Sequence, residues 1–331
     1  MEQQHFSIIR IKYQIILAIV YYLTLLSLAY GFGAFSIEMN EAGIRVRNAA
    51  LAMPLMTVFA VVSANFLRQK SFVSLSQFLN ATNAQKYTHV LLTNFYIKVR
   101  RLKWISLLIG FTITFFYLYT ENLLALDLDP LIMFMNISAI PFWGGCFYFL
   151  LNLFYITRYV VANYLDKDTL DLFSIKDLKP ISDLVIYNTA MCACFMAFTP
   201  MFWFQKSVPL LDIFLVGLLF LCFALYLFLP VFKVHHAIAT QKKLALTRIN
   251  EAISELMTDG VETKHMEIFK QPEDIRNLAS LISAKQEIYA SSEWPIDLPQ
   301  GIKGIIIAIS VPLSWAAGAV VEGIISNFNL F

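Results

Sequence analysis

Seven stretches of predominantly apolar residues, each close to the ~20 that a helix needs to cross a hydrocarbon core, run through this chain with its charges gathered between them. They lie at Gln14–Phe35, Ala49–Leu67, Trp104–Leu124, Leu131–Phe154, Asp183–Phe204, Leu211–Phe232 and Gly304–Ile325. Only 15% of the 331 residues are charged and 58% are apolar, against roughly 25% charged in soluble domains. A soluble surface needs more charge than this, so most of the chain's solvent must be lipid. The predicted fold class is all-α: a polytopic membrane bundle of seven transmembrane helices.

The basic residues orient that bundle. The N-terminal tail carries Arg10 and Lys12. The segment after the second span carries seven: Arg68, Lys70, Lys86, Lys98, Arg100, Arg101 and Lys103. The segment after the fourth carries Arg158, Lys167, Lys176 and Lys179, and the one after the sixth carries nine. All fall on one side of the map, 22 against three (Arg45, Arg47 and Lys206) on the other. Lys and Arg are retained in the cytoplasm, so the N-terminus is expected inside and the C-terminus outside. One missed or extra span would exchange the sides of every later segment, so count and orientation support each other. The first run follows Arg10 and Lys12, but at about 22 residues it exceeds a signal h-region of about 7–15. It reads as an uncleaved span of a cytoplasmic (inner) membrane protein. The expected organisation is a transmembrane bundle over 1–232, a cytoplasmic helical hairpin over 233–302 and a last transmembrane helix over 303–331.

Charges inside the spans are few and near the ends: Asp183 at the inner interface, Asp212 near the outer one and Glu322 about one turn inside it. A proton-coupled carrier generally needs a deep titrating carboxylate, and none lies clearly at mid-membrane. Asn136, Asn152 and Asn188 are deeper neutral groups. They serve either as interhelical hydrogen-bonding groups or, with Asp212 and Glu322, as the lining of a polar path. Pro54, Pro141, Pro200 and Pro312 each lack a backbone donor and can kink a helix, and Pro141 is followed closely by Gly144 and Gly145. These glycines and prolines are either ordinary membrane-helix packing or a hinge, for which Pro141, Gly144, Gly145, Pro200 and Pro312 are the candidates.

Between the sixth and seventh spans, Val234, Ile238, Ala245, Ile249, Ile253 and Leu256 recur at helical spacing, which predicts an amphipathic helix continuing from the sixth span. Thr258-Asp259-Gly260 breaks it. Pro272, Glu273 and Asp274 suit the first turn of a second helix, bearing Ile275, Leu278, Ile282 and Tyr289. An antiparallel hairpin follows, with Ile249, Ile253, Leu278 and Ile282 as the candidate face for a second copy or a cytoplasmic protein. Trp294-Pro295 ends the second helix and anchors it at the interface.

The run Leu229-Pro230-Val231-Phe232-Lys233-Val234-His235, the Lys242-Lys243-Leu244 stretch, Lys285 and Ser292-Glu293-Trp294-Pro295 together resemble a pattern that recurs in uncharacterised bacterial polytopic membrane proteins. The resemblance covers the last third of the chain. It implies a bacterial or archaeal cytoplasmic membrane and no particular activity. The seven-span, inside-to-outside layout is also similar to that of insect chemoreceptor channels, in topology alone.

The Arg68–Lys103 segment has no acidic residue, and Phe72, Leu75, Phe78 and Leu79 share a helical face. It reads as an amphipathic basic loop against anionic lipid headgroups. No nucleic-acid module frames its charges, so nucleic acid is not an expected partner.

Catalytic signatures are absent: no phosphate loop, no G-x-G-x-x-G, no H-E-x-x-H and no G-x-S-x-G. His235 and His236 point about 100° apart on a helix and do not chelate one metal together. Asp166, Asp168 and Asp171 lack EF-hand spacing. Cys146, Cys192, Cys194 and Cys222 all sit in apolar runs as packing residues. No cofactor or catalytic residue is expected. The leading expectation is an oligomeric channel or conduit gated through the hairpin; the alternative is a membrane sensor or scaffold that recruits a cytoplasmic partner, and an intramembrane enzyme comes last.

Overall fold

The computed structural model describes residues 2–36, 41–81, 85–120, 129–163, 179–204, 210–258 and 272–291. Among them every regular element is helical: α1 (Glu2–Gly31), α2 (Glu41–Ala81), α3 (Gln85–Thr120), α4 (Pro130–Asn163), α5 (Lys179–Ala197), a 3-10 turn (Thr199–Trp203), α6 (Leu210–Thr258) and α7 (Pro272–Ala290). Six stretches are long and apolar enough to cross a membrane: Tyr13–Gly31, Gly43–Leu79, Leu92–Thr120, Pro130–Asn163, Lys179–Trp203 and Leu221–Met257. The chain is a multi-pass helical membrane protein. Residues 304–325, expected as a seventh span, lie outside the described residues, as do Trp294, Pro295, Pro312 and Glu322.

The helices are much longer than their membrane-crossing parts. The 41 residues of α2 extend for ~60 Å at ~1.5 Å each, about twice the ~30 Å of a hydrocarbon core. Thus α2 does not end near Leu67, and Arg68–Lys103 is not a loop. It is the end of α2 and the start of α3, with only residues 82–84 undescribed between them. Hydropathy marks where a helix suits lipid; it does not mark where a helix stops. This one continues because its far end keeps a protein partner. Leu75, Phe78 and Leu79 of α2 and Leu92, Phe95 and Val99 of α3 are all buried. They join one core cluster with Tyr159 and Val160 of α4.

Residues meeting across the bundle fix the helix directions. Arg68 of α2 lies over the ring of Tyr96 of α3, at 5.6 Å. Phe95 meets Tyr155 and Tyr159 of α4 at 6.1 and 5.2 Å. At the opposite end, Phe142 of α4 meets Phe202 at 5.7 Å. There the buried Asn48 of α2 donates from Nδ2 to the carbonyls of Phe202 and Phe204, at 3.4 and 2.7 Å. The α2 extension, the first half of α3 and the end of α4 therefore share one end, and that end carries the basic residues.

α4 is the centre, packing on α2, α3 and α6. Its Gly-Gly pair explains why. A Cβ placed on Gly110 of α3 would run into the Gly144 backbone, and one on Gly145 would stand 3.4 Å from Thr57 of α2. The two glycines are the crossing point of three helices, and α4 runs through them unbroken, as it does through Pro141. Pro200 acts differently: α5 stops at Ala197 and Pro200 opens the 3-10 turn, because proline cannot donate to the carbonyl four residues back. The fifth apolar stretch is therefore not one helix to Phe204.

α1 ends in a Schellman motif. Ala34 N–H donates to the Ala29 carbonyl (2.9 Å) and Gly33 N–H to Tyr30 (3.0 Å). Gly33 takes φ +83°, the left-handed position that closes a helix end.

At the basic end α7 packs on α6. Lys242 of α6, 8% exposed, donates from Nζ to the carbonyls of Tyr289 and Ser291, at 3.1 and 2.9 Å, and lies 5.7 Å from the Tyr289 ring centroid. A cation on the last carbonyls of a helix satisfies orphan acceptors and the helix dipole together. The contact places the end of α7 beside Lys242, so the chain doubles back along α6.

Candidate functional site

Of the residues expected to line a polar path, Asn152 and Asn188 are both buried. Asn152 is fully buried (0% exposed). Its Nδ2 donates to the carbonyl of Tyr148 one turn back in its own helix, at 2.6 Å. Asn188 of α5 is 2% exposed. The side-chain oxygens of both are without a hydrogen-bond partner, so the two amides do not bond one another. Asn136 is half-buried on the other half of α4, and Asp212 falls in α6. The expected hinge residues Gly144 and Gly145 are a tight packing point. On the hairpin, Ile249, Ile253 and Leu278 are half-buried, whereas Ile282 is 43% exposed.

Among the described residues, two clefts lie on the flanks of α1. A cleft of about 400 Å³ runs between α1, α2, α3 and α4. Leu17, Val61 and Leu107 line it and remain exposed, so it opens on the side of the bundle, toward lipid. Its polar groups collect at the basic end: Gln14 of α1, Asn65 of α2, Lys103 and Ser106 of α3, and Tyr148 of α4. Tyr148 Oη donates to Asn65 Oδ1 at 3.3 Å, and Ser106 Oγ to the Lys103 carbonyl at 2.8 Å. Deeper in, toward Thr57, Pro141 and Gly144, the walls are mostly apolar. Tyr21 lines the cleft about two turns above Gln14, and its hydroxyl has no partner. On the other flank of α1, a second cleft of about 360 Å³ is almost wholly apolar, with Ile15, Leu55, Phe59 and Met191 in its walls.

A third hollow, about 380 Å³, lies on the outer side of α3 among Tyr96, Ile97, Arg100, Arg101 and Trp104. Exposed arginines beside an exposed indole suit a membrane–water interface. Among the described residues, no three His, Cys, Asp or Glu side chains gather as a metal site.

The sequence reading missed two of these features. Lys242 sits four residues after Ile238 in the apolar register of α6, and a cation within an apolar stripe was the signal for its capping role. The cleft left no such mark, because it is made by four helices distant in sequence. No family model matches the chain, and no curated protein or solved structure is detectably similar to it. The pattern in the last third therefore rests on its own residues.

Proposed function

We propose that this protein is a membrane sensor or scaffold whose basic-end helices form a cytoplasmic platform for a protein partner. It crosses the inner membrane seven times, with its N-terminus inside and its C-terminus outside. The charge asymmetry of the segments between spans supports this orientation.

The observation that carries the reading is the extension of the helices at the basic end: α2, α3 and α6 are carried well beyond a bilayer's thickness. Connections in helical bundles need only ~2–8 residues. Long, packed helical extensions are the geometry expected of a surface that meets something. On α7, Ile275, Ile282 and Tyr289 are exposed at 53%, 43% and 74% and recur every seven residues, so they form one apolar stripe.

Site-specific photocrosslinking from Ile282 in living cells tests the platform. A discrete crosslink to a cytoplasmic protein or a second copy is expected. Ile249→Asp with Ile253→Asp, which disrupts the hairpin, should abolish it. Absence of any protein crosslink overturns the reading.

A second reading keeps the oligomeric channel and moves its path to the junction between copies. The Lys242 clamp favours it: it ties the end of α7 to α6, so the two helices would move together. Single-channel current from the reconstituted protein would select this reading, and electrical silence at every potential would reject it.

A further inference from the structure

We infer that the cleft between α1, α2, α3 and α4 holds one acyl chain of an anionic phospholipid whose phosphate meets Lys103. The inference rests on the orientation proposed above, which sets this end at the inner leaflet, and not on the platform's partner.

The match is one of polarity and of direction. The cleft opens sideways, where lipid arrives, through the exposed Leu17, Val61 and Leu107. Its depth follows the helix axes: seven residues from Gln14 to Tyr21 on α1, and seven from Pro141 to Tyr148 on α4, each ~10 Å. Its charged and amide groups lie at the basic end, and apart from the Tyr21 and Thr57 hydroxyls the walls deeper in the membrane interior are apolar. A phospholipid of the inner leaflet has the same order, headgroup outward and chain inward. At about 400 Å³ the cleft lies within the ~300–1,000 Å³ range of small-ligand sites, and it is too small for another helix.

Charge selects the headgroup. Lys103 is exposed at the mouth and supplies three donors. The Gln14 amide lines the same end, and Arg100 and Arg101 lie within one turn along α3. No Asp or Glu lines the cleft. The second cleft, on the far flank of α1, has no charged group in its walls and so offers no reason to distinguish one headgroup from another.

The test uses the full chain in nanodiscs of phosphatidylcholine doped with phosphatidylglycerol, then extracted gently for native mass spectrometry of retained lipid. Wild type should retain phosphatidylglycerol in preference to phosphatidylcholine. Lys103→Gln, at an exposed position, should lower that preference about tenfold, the scale of a charge-assisted hydrogen bond. Val61→Trp should fill the slot and lower retention of both lipids. Unchanged helical circular dichroism and elution volume qualify each variant. Equal retention of the two lipids by wild type overturns the inference, as does an undiminished preference in Lys103→Gln. Displacement of the lipid by millimolar inorganic phosphate would assign the site to the free anion and also overturn it. The Ile282 crosslink is independent of all these outcomes, so a failure here is distinguishable from a failure of the platform.

Discussion

α1 and α4 are nearly equal in hydropathy and opposite in burial. Both are apolar enough to cross a bilayer, yet 56% of the apolar window of α4 is buried inside the protein and 6% of that of α1. Hydropathy measures a helix's compatibility with lipid, not how much of it the protein buries. Small residues make the difference. Gly144 and Gly145 let α3 and α2 approach the α4 backbone. In a membrane, where tails are as apolar as leucine, that close approach does much of the work of association. α1 has no comparable pair; it rests on α2 with a cleft on either side.

This contrast breaks most sharply at Gly110. A leucine there has no space beside the Gly144 backbone, so Gly110→Leu should cost about 3–5 kcal/mol. Thermal unfolding in detergent would show it as a lost or strongly lowered transition. Next comes the core that α2 and α3 share with α4 at the basic end. Phe95 is 1% exposed, and Phe95→Ala should cost about 3 kcal/mol. Phe116→Ala, at 67% exposure on the lipid side of the same helix, should cost far less. If the two cost the same, the α2–α3 extension is not packed as described.

Smaller still is the α6–α7 clamp. Lys242→Met keeps the stem and removes the charge that caps α7. It should cost about 1–3 kcal/mol, and hydrogen exchange should quicken over the last turn of α7 while α2 and α4 stay protected. At Asn152 the expected effect is near zero. Its amide bonds only its own helix through nitrogen and leaves its oxygen unmet, so Asn152→Leu should stay within about 1 kcal/mol of wild type or gain stability. A loss above about 2 kcal/mol would show that the oxygen has a partner. Leu23→Ala, on the lipid-facing side of α1 at 53% exposure, should fall within about 0.5 kcal/mol.

Much of the fold was legible because lipid imposes a simple length rule. Six of the seven apolar stretches fall in helices of sufficient length and apolarity. The seventh lies outside the described residues. Helix ends were less legible. Pro200 could be read as a breaker, but the continuation of α2 through Arg68 to Ala81 could not, since it depends on Leu75 and Phe78 meeting residues of α3 and α4. The packing role of Gly144 and Gly145 was one of two readings open in the sequence. Only the partner glycine, Gly110, about 34 residues away, decides between them. The cleft illustrates the same limit: Gln14, Asn65, Lys103 and Tyr148 have no sequence relationship, and only the antiparallel stacking of four helices brings them to one mouth.

The sidedness of the basic end supports the platform and the lipid site alike. Single cysteines, introduced after replacing Cys146, Cys192, Cys194 and Cys222, would report it through an impermeant maleimide on right-side-out and inverted vesicles. Cysteines at Gln77 and Glu251, both exposed at the basic end, should react only in inverted vesicles, and cysteines at Ser36 and Phe204 only in right-side-out ones. The reverse pattern, or labelling of Gln77 and Ser36 from the same side, would contradict the account.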